Sequence, residues 1–95
     1  MDSGCLVTVT RQAEKQLKRV PAHIRAAVYL WVESVERLGL ARVRQIPGYH
    51  DEPLKGQRLG QRSIRLNRAY RLFYEEDIRD QTVLVTVIEV NKHEY

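Results

Sequence analysis

The pattern of apolar and polar positions predicts a strand followed by two helices. Residues 5–9 (CLVTV) are apolar or β-branched, which is typical of a short strand. Thr10 stands where a helix N-cap is expected, and the apolar positions of residues 11–20 recur at helical spacing. Pro21 ends this helix and suits the first turn of the next, and Gly39 is a natural stop. The result is a helical hairpin whose second member carries an apolar stripe of Ile24, Val28, Trp31, Val35 and Leu38.

The second half of the chain changes to a period of two. Residues 40–56 are rich in proline and glycine and weakly periodic, which predicts a loop with a short helical turn at its beginning. Residues 61–67 and 70–76 alternate between apolar and polar positions, and the stretch from 82 to 90 is apolar. Short connections favour antiparallel hairpins. We therefore predict an α+β domain in which an N-terminal strand, a helical hairpin and a three-stranded antiparallel run complete one sheet, with the helices on one face.

Strand alternation also predicts which side chains share a face. Arg65 lies between apolar neighbours, so it is expected to point away from the core. The face of Arg71 stays open, because the tyrosines near it could pack on either side. In the final strand the residues opposite Ile88 and Val90 are Glu89, Asn91, His93 and Tyr95.

Composition limits the class of protein. A chain of 95 residues with 43% hydrophobic and 29% charged residues is typical of one globular domain, spanning 1–95. The sequence shows neither a membrane-spanning apolar run nor a secretory signal, so we expect a cytoplasmic protein with no membrane partner. Cys5 is the only cysteine, and the three histidines are scattered. No metal site, nucleotide-binding glycine loop or other cofactor is therefore predicted.

The positive charge of the chain is concentrated in one segment. The net charge is +4, but the segment from Pro53 to Tyr74 holds six cationic residues and no acidic one. Such a stripe is expected of a protein that contacts phosphates, and a solvated basic face is an equally good interpretation of charge alone. The six cations are Lys55, Arg58, Arg62, Arg65, Arg68 and Arg71.

The candidate residues suit the cleavage of RNA without a metal. Arginine can make two hydrogen bonds to a phosphate, while Glu52 and His93 can transfer protons. Tyr95 can donate a hydrogen bond, stack on a base or orient a phosphate. When the neighbouring 2′-hydroxyl is the nucleophile, the protein needs only a base, an acid and positive charge around the phosphorus.

Three stretches carry a resemblance to a known family. The segments DEPLKG, GQRSIRLNRAYRLFY and KHEY resemble the RelE/ParE superfamily of bacterial toxins, and most of all the YoeB and HigB type of ribosome-dependent messenger-RNA endonuclease. The resemblance implies that Glu52 is the general base and that Lys55 contacts nucleic acid. It matches Arg65 and Arg71 to the sheet arginines, Arg71 being the better match for stabilising the phosphate. His93 and Tyr95 match the family's terminal pair, and which of Glu52 and His93 is acid or base stays open.

The same resemblance implies partners and leaves two alternatives. The expected toxin enters the aminoacyl site of the ribosome, cuts messenger RNA there and is neutralised by a cognate antitoxin protein. The predicted catalytic residues are then Glu52, Arg65, Arg71, His93 and Tyr95, and the predicted RNA-binding residues are Lys55, Arg58, Arg62 and Arg68. The alternatives are a ParE-like inhibitor of DNA gyrase without nuclease activity, and a degenerate toxin that only binds antitoxin or RNA.

Overall fold

The described part of the chain begins with the predicted strand and a capped helix. The computed structural model describes residues 4–92. Strand β1 spans Cys5–Val9 and helix α1 spans Arg11–Leu17. Thr10 Oγ1 accepts a hydrogen bond from the backbone N–H of Ala13 at 3.1 Å, which satisfies one of the free donors of the first turn. The helix prediction is therefore confirmed at its start.

Helix α1 is shorter than the predicted span of 11–20, and Arg25 binds the carbonyls of residues 17 and 20 at and beyond its end. Arg25, from the next helix, donates through Nε to the Leu17 carbonyl at 2.9 Å and through Nη2 to the Val20 carbonyl at 3.4 Å. The Leu17 carbonyl needs such a partner, because the residue that would donate to it in a longer helix is Pro21, which has no backbone N–H. Val20 nevertheless stays buried, so its predicted place in the core is confirmed.

The second helix and the segment after it follow the sequence pattern. Helix α2 spans Ala22–Leu38 and ends at Gly39, whose φ of 90° lies in a region that favours glycine. Helix α3, Leu40–Arg44, is the short helical turn predicted at the beginning of the loop. None of the helices within residues 4–92 is long and apolar enough to cross a membrane.

One mixed sheet of five strands carries the helices on one face. The other strands are β2 Glu52–Pro53, β3 Arg62–Arg65, β4 Tyr70–Arg79 and β5 Thr82–Lys92. The order in the sheet is β1-β5-β4-β3-β2, with β1 parallel to β5 and the other pairs antiparallel. Asp80 and Gln81 join β4 to β5 with φ values of 50° and 66°, as a tight hairpin turn requires. The predicted α+β fold and its antiparallel run are confirmed. The strands of the run are β3, β4 and β5.

Strand β2, Glu52–Pro53, lies where the sequence predicts only a loop. Two residues cannot show a periodicity, so the hydrophobic pattern could not reveal this strand. Glu52 pairs with Ser63 and Pro53 with Arg62 at the edge of the sheet, a position at which proline is tolerated. Glu52 therefore lies on an edge strand of the sheet, and not in a loop.

The core lies between the helices and one face of the sheet. Trp31 is fully buried, and its ring centroid lies 5.2 Å from that of Tyr74 on β4. This confirms that Trp31 belongs to the core. The other fully buried large side chains include Ile24, Val28, Val35, Val43, Ile64, Leu72, Val85, Val87 and Val90.

A β-bulge interrupts the pairing of β4 with β5. Phe73 pairs with Glu89 and Tyr74 pairs with Val87, so Ile88 has no partner of its own across the ladder. A bulge of this kind shifts the alternation of the strand by one residue. The shift changes which residues of β5 face the helices.

After the bulge, Val90 takes the place in the core that Val87 holds before it. Glu89 and Asn91 consequently lie on the face opposite the helices, as predicted. Ile88, which was expected to share the helix side with Val90, sits in the bulge and is only partly buried. We call the sheet surface opposite the helices the far face.

Candidate functional site

Two arginines lie next to each other on the far face. Arg65 on β3 is paired across the ladder with Arg71 on β4, and Arg71 is paired with Asn91 on β5. Leu72 is fully buried under the helices, so alternation directs Arg71 to the far face and settles its open orientation. Like charges directly opposite each other on neighbouring strands are destabilising. The arrangement therefore favours an anion, such as a phosphate, between the two guanidinium groups.

Glu52 reaches the same cluster from the edge of the sheet. Its Oε1 lies 3.5 Å from Nη1 of Arg71, and its side chain is 58% exposed. An exposed ion pair of this length stabilises the fold by only about 0–1 kcal/mol. The Arg71 side chain is 21% exposed, so the pair consists of an open carboxylate beside a half-buried guanidinium that is suited to bind a phosphate.

Arg58 is held over the far face by three contacts. Its Cζ lies 4.2 Å from the ring centroid of Phe73, and its Nη2 lies 2.8 Å from Glu89 Oε1. Its Nη1 donates to Gln61 Oε1 at 2.7 Å. The other carboxylate oxygen of Glu89 accepts a hydrogen bond from Asn91. Arg58, predicted as a simple RNA anchor, therefore belongs to the same surface as Arg65 and Arg71.

Sequence reasoning did not identify Phe73 or Glu89 as parts of the site. Alternation along β5 correctly placed Glu89 on this face, but its partner stands 31 residues away in the sequence. No local pattern connects the two residues. The one available signal was the isolated carboxylate between the apolar residues Ile88 and Val90.

Arg62 lies on the opposite side of the sheet from the arginine cluster. Its Nε donates to Asp51 Oδ1 at 2.6 Å, and the Asp51 side chain is 1% exposed. Asp51 Oδ2 also accepts a hydrogen bond from the Tyr74 hydroxyl at 2.6 Å. Burial, reinforced by this bond to Asp51, raises the pKa of Tyr74 above the ordinary value for tyrosine. The structure thus places Arg62 in a buried polar network and not beside Arg65 and Arg71.

The remaining predicted cations flank the cluster. Lys55 is exposed in the loop that follows β2, and Arg68 is exposed in the turn between β3 and β4. A shallow pocket of about 230 Å³ lies beside Arg65 and is lined by Ile46, Gly48, Tyr49 and Leu66. Partial burial raises the pKa of the Tyr49 hydroxyl.

His93 and Tyr95 lie outside the described residues. The structure describes β5 as far as Lys92, with Asn91 paired to Arg71. Among residues 4–92 there is no group of three histidine, cysteine or carboxylate side chains suited to hold a metal ion. The described part of the site thus consists of Glu52, Arg58, Arg65, Arg71, Glu89 and Asn91.

Comparison with known proteins adds the family context. The family model that describes the ParE toxin of the type II toxin-antitoxin system parDE matches residues 7–94. No curated protein sequence matches this chain significantly.

Several solved toxin structures share the fold. A YoeB/ParE toxin from Agrobacterium tumefaciens superimposes with a TM-score of 0.69 at 19% identity, over 94% of this chain and 99% of that one. The RelBE2 toxin-antitoxin complex from Mycobacterium tuberculosis matches with a TM-score of 0.67 at 25% identity, over 95% of this chain and 99% of the other. A YoeB-YefM complex from Staphylococcus aureus matches with a TM-score of 0.66 at 21% identity, over 93% and 95% of the two chains.

Proposed function

The chain belongs to the ParE toxin family of type II toxin-antitoxin systems, within the RelE/ParE superfamily, and we propose that it is a ribosome-dependent endoribonuclease that cleaves messenger RNA. The observation that carries this proposal is the contact between Glu52 and Arg71, at 3.5 Å, beside the guanidinium of Arg65. Attack by a 2′-hydroxyl on the neighbouring phosphate requires a proton acceptor and positive charge beside the phosphate, and these residues supply both.

The proposed reaction needs no nucleophile from the protein. A base, Glu52 or His93, removes the proton from the 2′-hydroxyl, and the oxygen forms a bond to the neighbouring phosphorus. Arg71 and Arg65 stabilise the negative charge that grows on the phosphate oxygens. The bond from phosphorus to the 5′-oxygen then breaks, and the other acid/base residue donates a proton to the leaving oxygen. The products are a 2′,3′-cyclic phosphate and a 5′-hydroxyl.

Tyr95 completes the proposed site. Its hydroxyl or ring would orient the phosphate or an adjacent base, because tyrosine combines a hydrogen-bond donor with a stacking surface. The described part of β5 supports this assignment, because Asn91, which shares the predicted face of Tyr95, is paired with Arg71. The predicted catalytic set thus stays Glu52, Arg65, Arg71, His93 and Tyr95.

The exposed cations suit the proposed partners. Lys55 and Arg68 would bind phosphates of ribosomal RNA while the codon lies against the far face in the aminoacyl site. A cognate antitoxin would neutralise the toxin in the cytoplasm, since similar folds occur in the RelBE2 and YoeB-YefM complexes. Arg62 is less suited to an RNA contact, because Asp51 already pairs with it on the helix side of the sheet.

The family model favours a second candidate function. ParE-like members act on DNA gyrase and do not cut RNA, and the model that matches residues 7–94 is the one described as ParE. This candidate would use the fold and the basic surface without the acid/base residues.

Two assays of the same purified protein separate the candidates. One follows a translated message in a reconstituted translation mixture, and the other follows DNA supercoiling by purified gyrase. The nuclease proposal predicts a cleaved message and normal supercoiling. An intact message together with inhibited supercoiling would instead establish the ParE-like activity.

A further inference from the structure

The guanidinium of Arg58 has a contact that phosphate binding alone does not require. It lies over the Phe73 ring, with Cζ 4.2 Å from the ring centroid. The ring is itself only partly buried on the far face, so the arginine covers an aromatic surface that would otherwise be open. A cation held at this distance from a ring is attracted by the negative face of the π-system.

Hydrogen bonds also fix the two Nη groups of the Arg58 guanidinium. Nη1 donates to Gln61 Oε1 at 2.7 Å and Nη2 to Glu89 Oε1 at 2.8 Å. Phe73 covers one face and both Nη groups are engaged, yet the Arg58 side chain is still 37% exposed. Arg58 thus presents a flat surface whose position is set before any ligand arrives.

The loop that carries Arg58 is itself closed by backbone hydrogen bonds. The N–H of Leu54 donates to the Gln61 carbonyl at 2.9 Å, and the N–H of Gln61 donates to the Arg58 carbonyl at 2.9 Å. Gly56 and Gly60 adopt φ values of 63° and 95°, which allow the chain to turn back on itself. Fixing the loop in advance lowers the entropy cost of ordering Arg58 when a ligand binds.

We propose that Arg58, supported by Phe73 and fixed by Glu89 and Gln61, is a stacking platform for one unpaired nucleobase of the RNA. Single-stranded RNA is recognised by stacking of splayed-out bases on aromatic rings and on arginine planes. The platform stands on the same face as Arg65 and Arg71, with Glu89 and Asn91 connecting the two groups along β5. A base on Arg58 and a phosphate at Arg71 would therefore belong to the same short stretch of RNA.

This inference rests on the proposed function, because it takes RNA as the ligand, but it can be tested without cleavage. The probes are two fluorescently labelled hexamers of 2′-O-methyl nucleotides, which offer no free 2′-hydroxyl for attack. One hexamer carries adenine at every position, and the other has the same backbone without bases. Because their charges are equal, the ratio of their dissociation constants reports the contribution of the bases alone.

The wild-type protein is expected to bind the adenine hexamer about tenfold more tightly than the abasic one. Arg58→Lys keeps the charge but removes the plane, so it should retain most of the affinity for the abasic hexamer and lose most of the ratio. Phe73→Leu keeps an apolar side chain but removes the ring below Arg58, and it should reduce the ratio in the same direction. Lys55→Ala is the matched control, because it removes a nearby exposed cation and should weaken both hexamers equally.

Equal binding of the two hexamers by the wild type would overturn the platform, and so would failure to bind either of them. If the ratio of the two dissociation constants were unchanged in Arg58→Lys, the platform would also be overturned, because the bases would then stack on another part of the protein. Thermal unfolding of each variant shows that it is folded before its affinity is compared. If the ratio behaves as expected but the protein never cuts messenger RNA, the platform stands and the nuclease proposal fails.

Discussion

Glu52 Oε1 lies 3.5 Å from Nη1 of Arg71, although the two residues are 19 positions apart and strand β3 runs between their strands. The short strand β2 produces this contact, because its pairing with β3 brings Glu52 onto the edge of the sheet. The contact places a carboxylate beside a guanidinium, and at 3.5 Å the ion pair between them is weak.

The first prediction concerns Arg71. Arg71→Ala should slow cleavage of messenger RNA by about 100- to 1000-fold, because it removes a donor aimed at the charge of the transition state. Folding and antitoxin binding should be unchanged, since the side chain lies outside the core. The measurement is the single-turnover rate on programmed ribosomes.

Arg79→Ala provides the matched control for Arg71. Arg79 lies on the same strand and carries the same charge, but it pairs with Asp77 near the hairpin turn. Its removal should leave the rate within about twofold of wild type, because distant exposed charges contribute little. If both variants lose the same activity, Arg71 acts only through overall charge and has no specific place in the site.

The second prediction concerns the buried carboxylate of Asp51. Asp51→Ala removes the acceptor that the Arg62 guanidinium and the Tyr74 hydroxyl share, and leaves Tyr74 with the 3.3 Å bond from Arg44. The free energy of unfolding should fall by about 1–3 kcal/mol, as measured by urea denaturation. Asp77→Ala, which breaks an exposed pair with Arg79, should change it by less than about 1 kcal/mol. Similar losses in the two variants would show that Asp51 has no special structural role.

The third prediction is a pH dependence caused by Tyr74. Its pKa is raised in the folded state by burial and by the bond to Asp51, so the folded protein keeps the proton that the unfolded chain releases near pH 10. The contribution to stability is complete below that pH and is lost as the pH rises toward the folded pKa. Tyr74→Phe should therefore show a smaller loss of stability above about pH 10 than the wild type. Parallel curves for the two proteins would contradict this explanation.

The sequence predicts those features of the fold that depend on residues close together in the chain. The Thr10 cap, the buried helical stripe around Trp31 and the alternation of Arg65 each follow from neighbours within a few residues and are confirmed, except that Leu38 at the end of the stripe is 40% exposed. The bulge at Ile88 is not predicted, because it depends on the register between two strands. It nevertheless preserves the predicted face of Glu89.

The sequence predicts only part of the candidate site, because its contacts join segments that are far apart in the chain. Residue types identified Glu52, Arg65 and Arg71 as candidates, but not the strand that brings Glu52 to Arg71. The basic stripe does not indicate that Arg62 pairs with Asp51 on the other side of the sheet. The platform of Arg58 depends on Glu89, and that pairing exists only once the loop has folded onto the sheet.

The fourth prediction concerns the last three residues of the chain. Deleting residues 93–95 should abolish cleavage while thermal stability falls only slightly, because the buried valines of β5 remain. Among single changes, His93→Ala and Tyr95→Ala should each reduce the rate strongly. Glu94→Ala should have little effect, because strand alternation in the sequence predicts that Glu94 and His93 point to opposite sides. Full activity of the truncated protein would remove both residues from the site.

A pH profile then separates the roles of the two terminal residues. Histidine has an unperturbed pKa of about 6.5, so an acid or base role for His93 makes the rate depend on pH between about 5 and 8. His93→Ala should flatten that profile, whereas Tyr95→Phe should lower the rate without changing its shape. An unchanged profile in His93→Ala would assign the proton transfer to Glu52 alone.

Primer extension on a defined messenger RNA, with and without actively translating ribosomes, tests the central claim most directly. We predict new 5′ ends within codons only when ribosomes and wild-type protein are both present, with 2′,3′-cyclic phosphate on the upstream fragments. Arg71→Ala should give none at the same concentration. An intact message in the presence of ribosomes and folded wild-type protein would contradict the proposed nuclease.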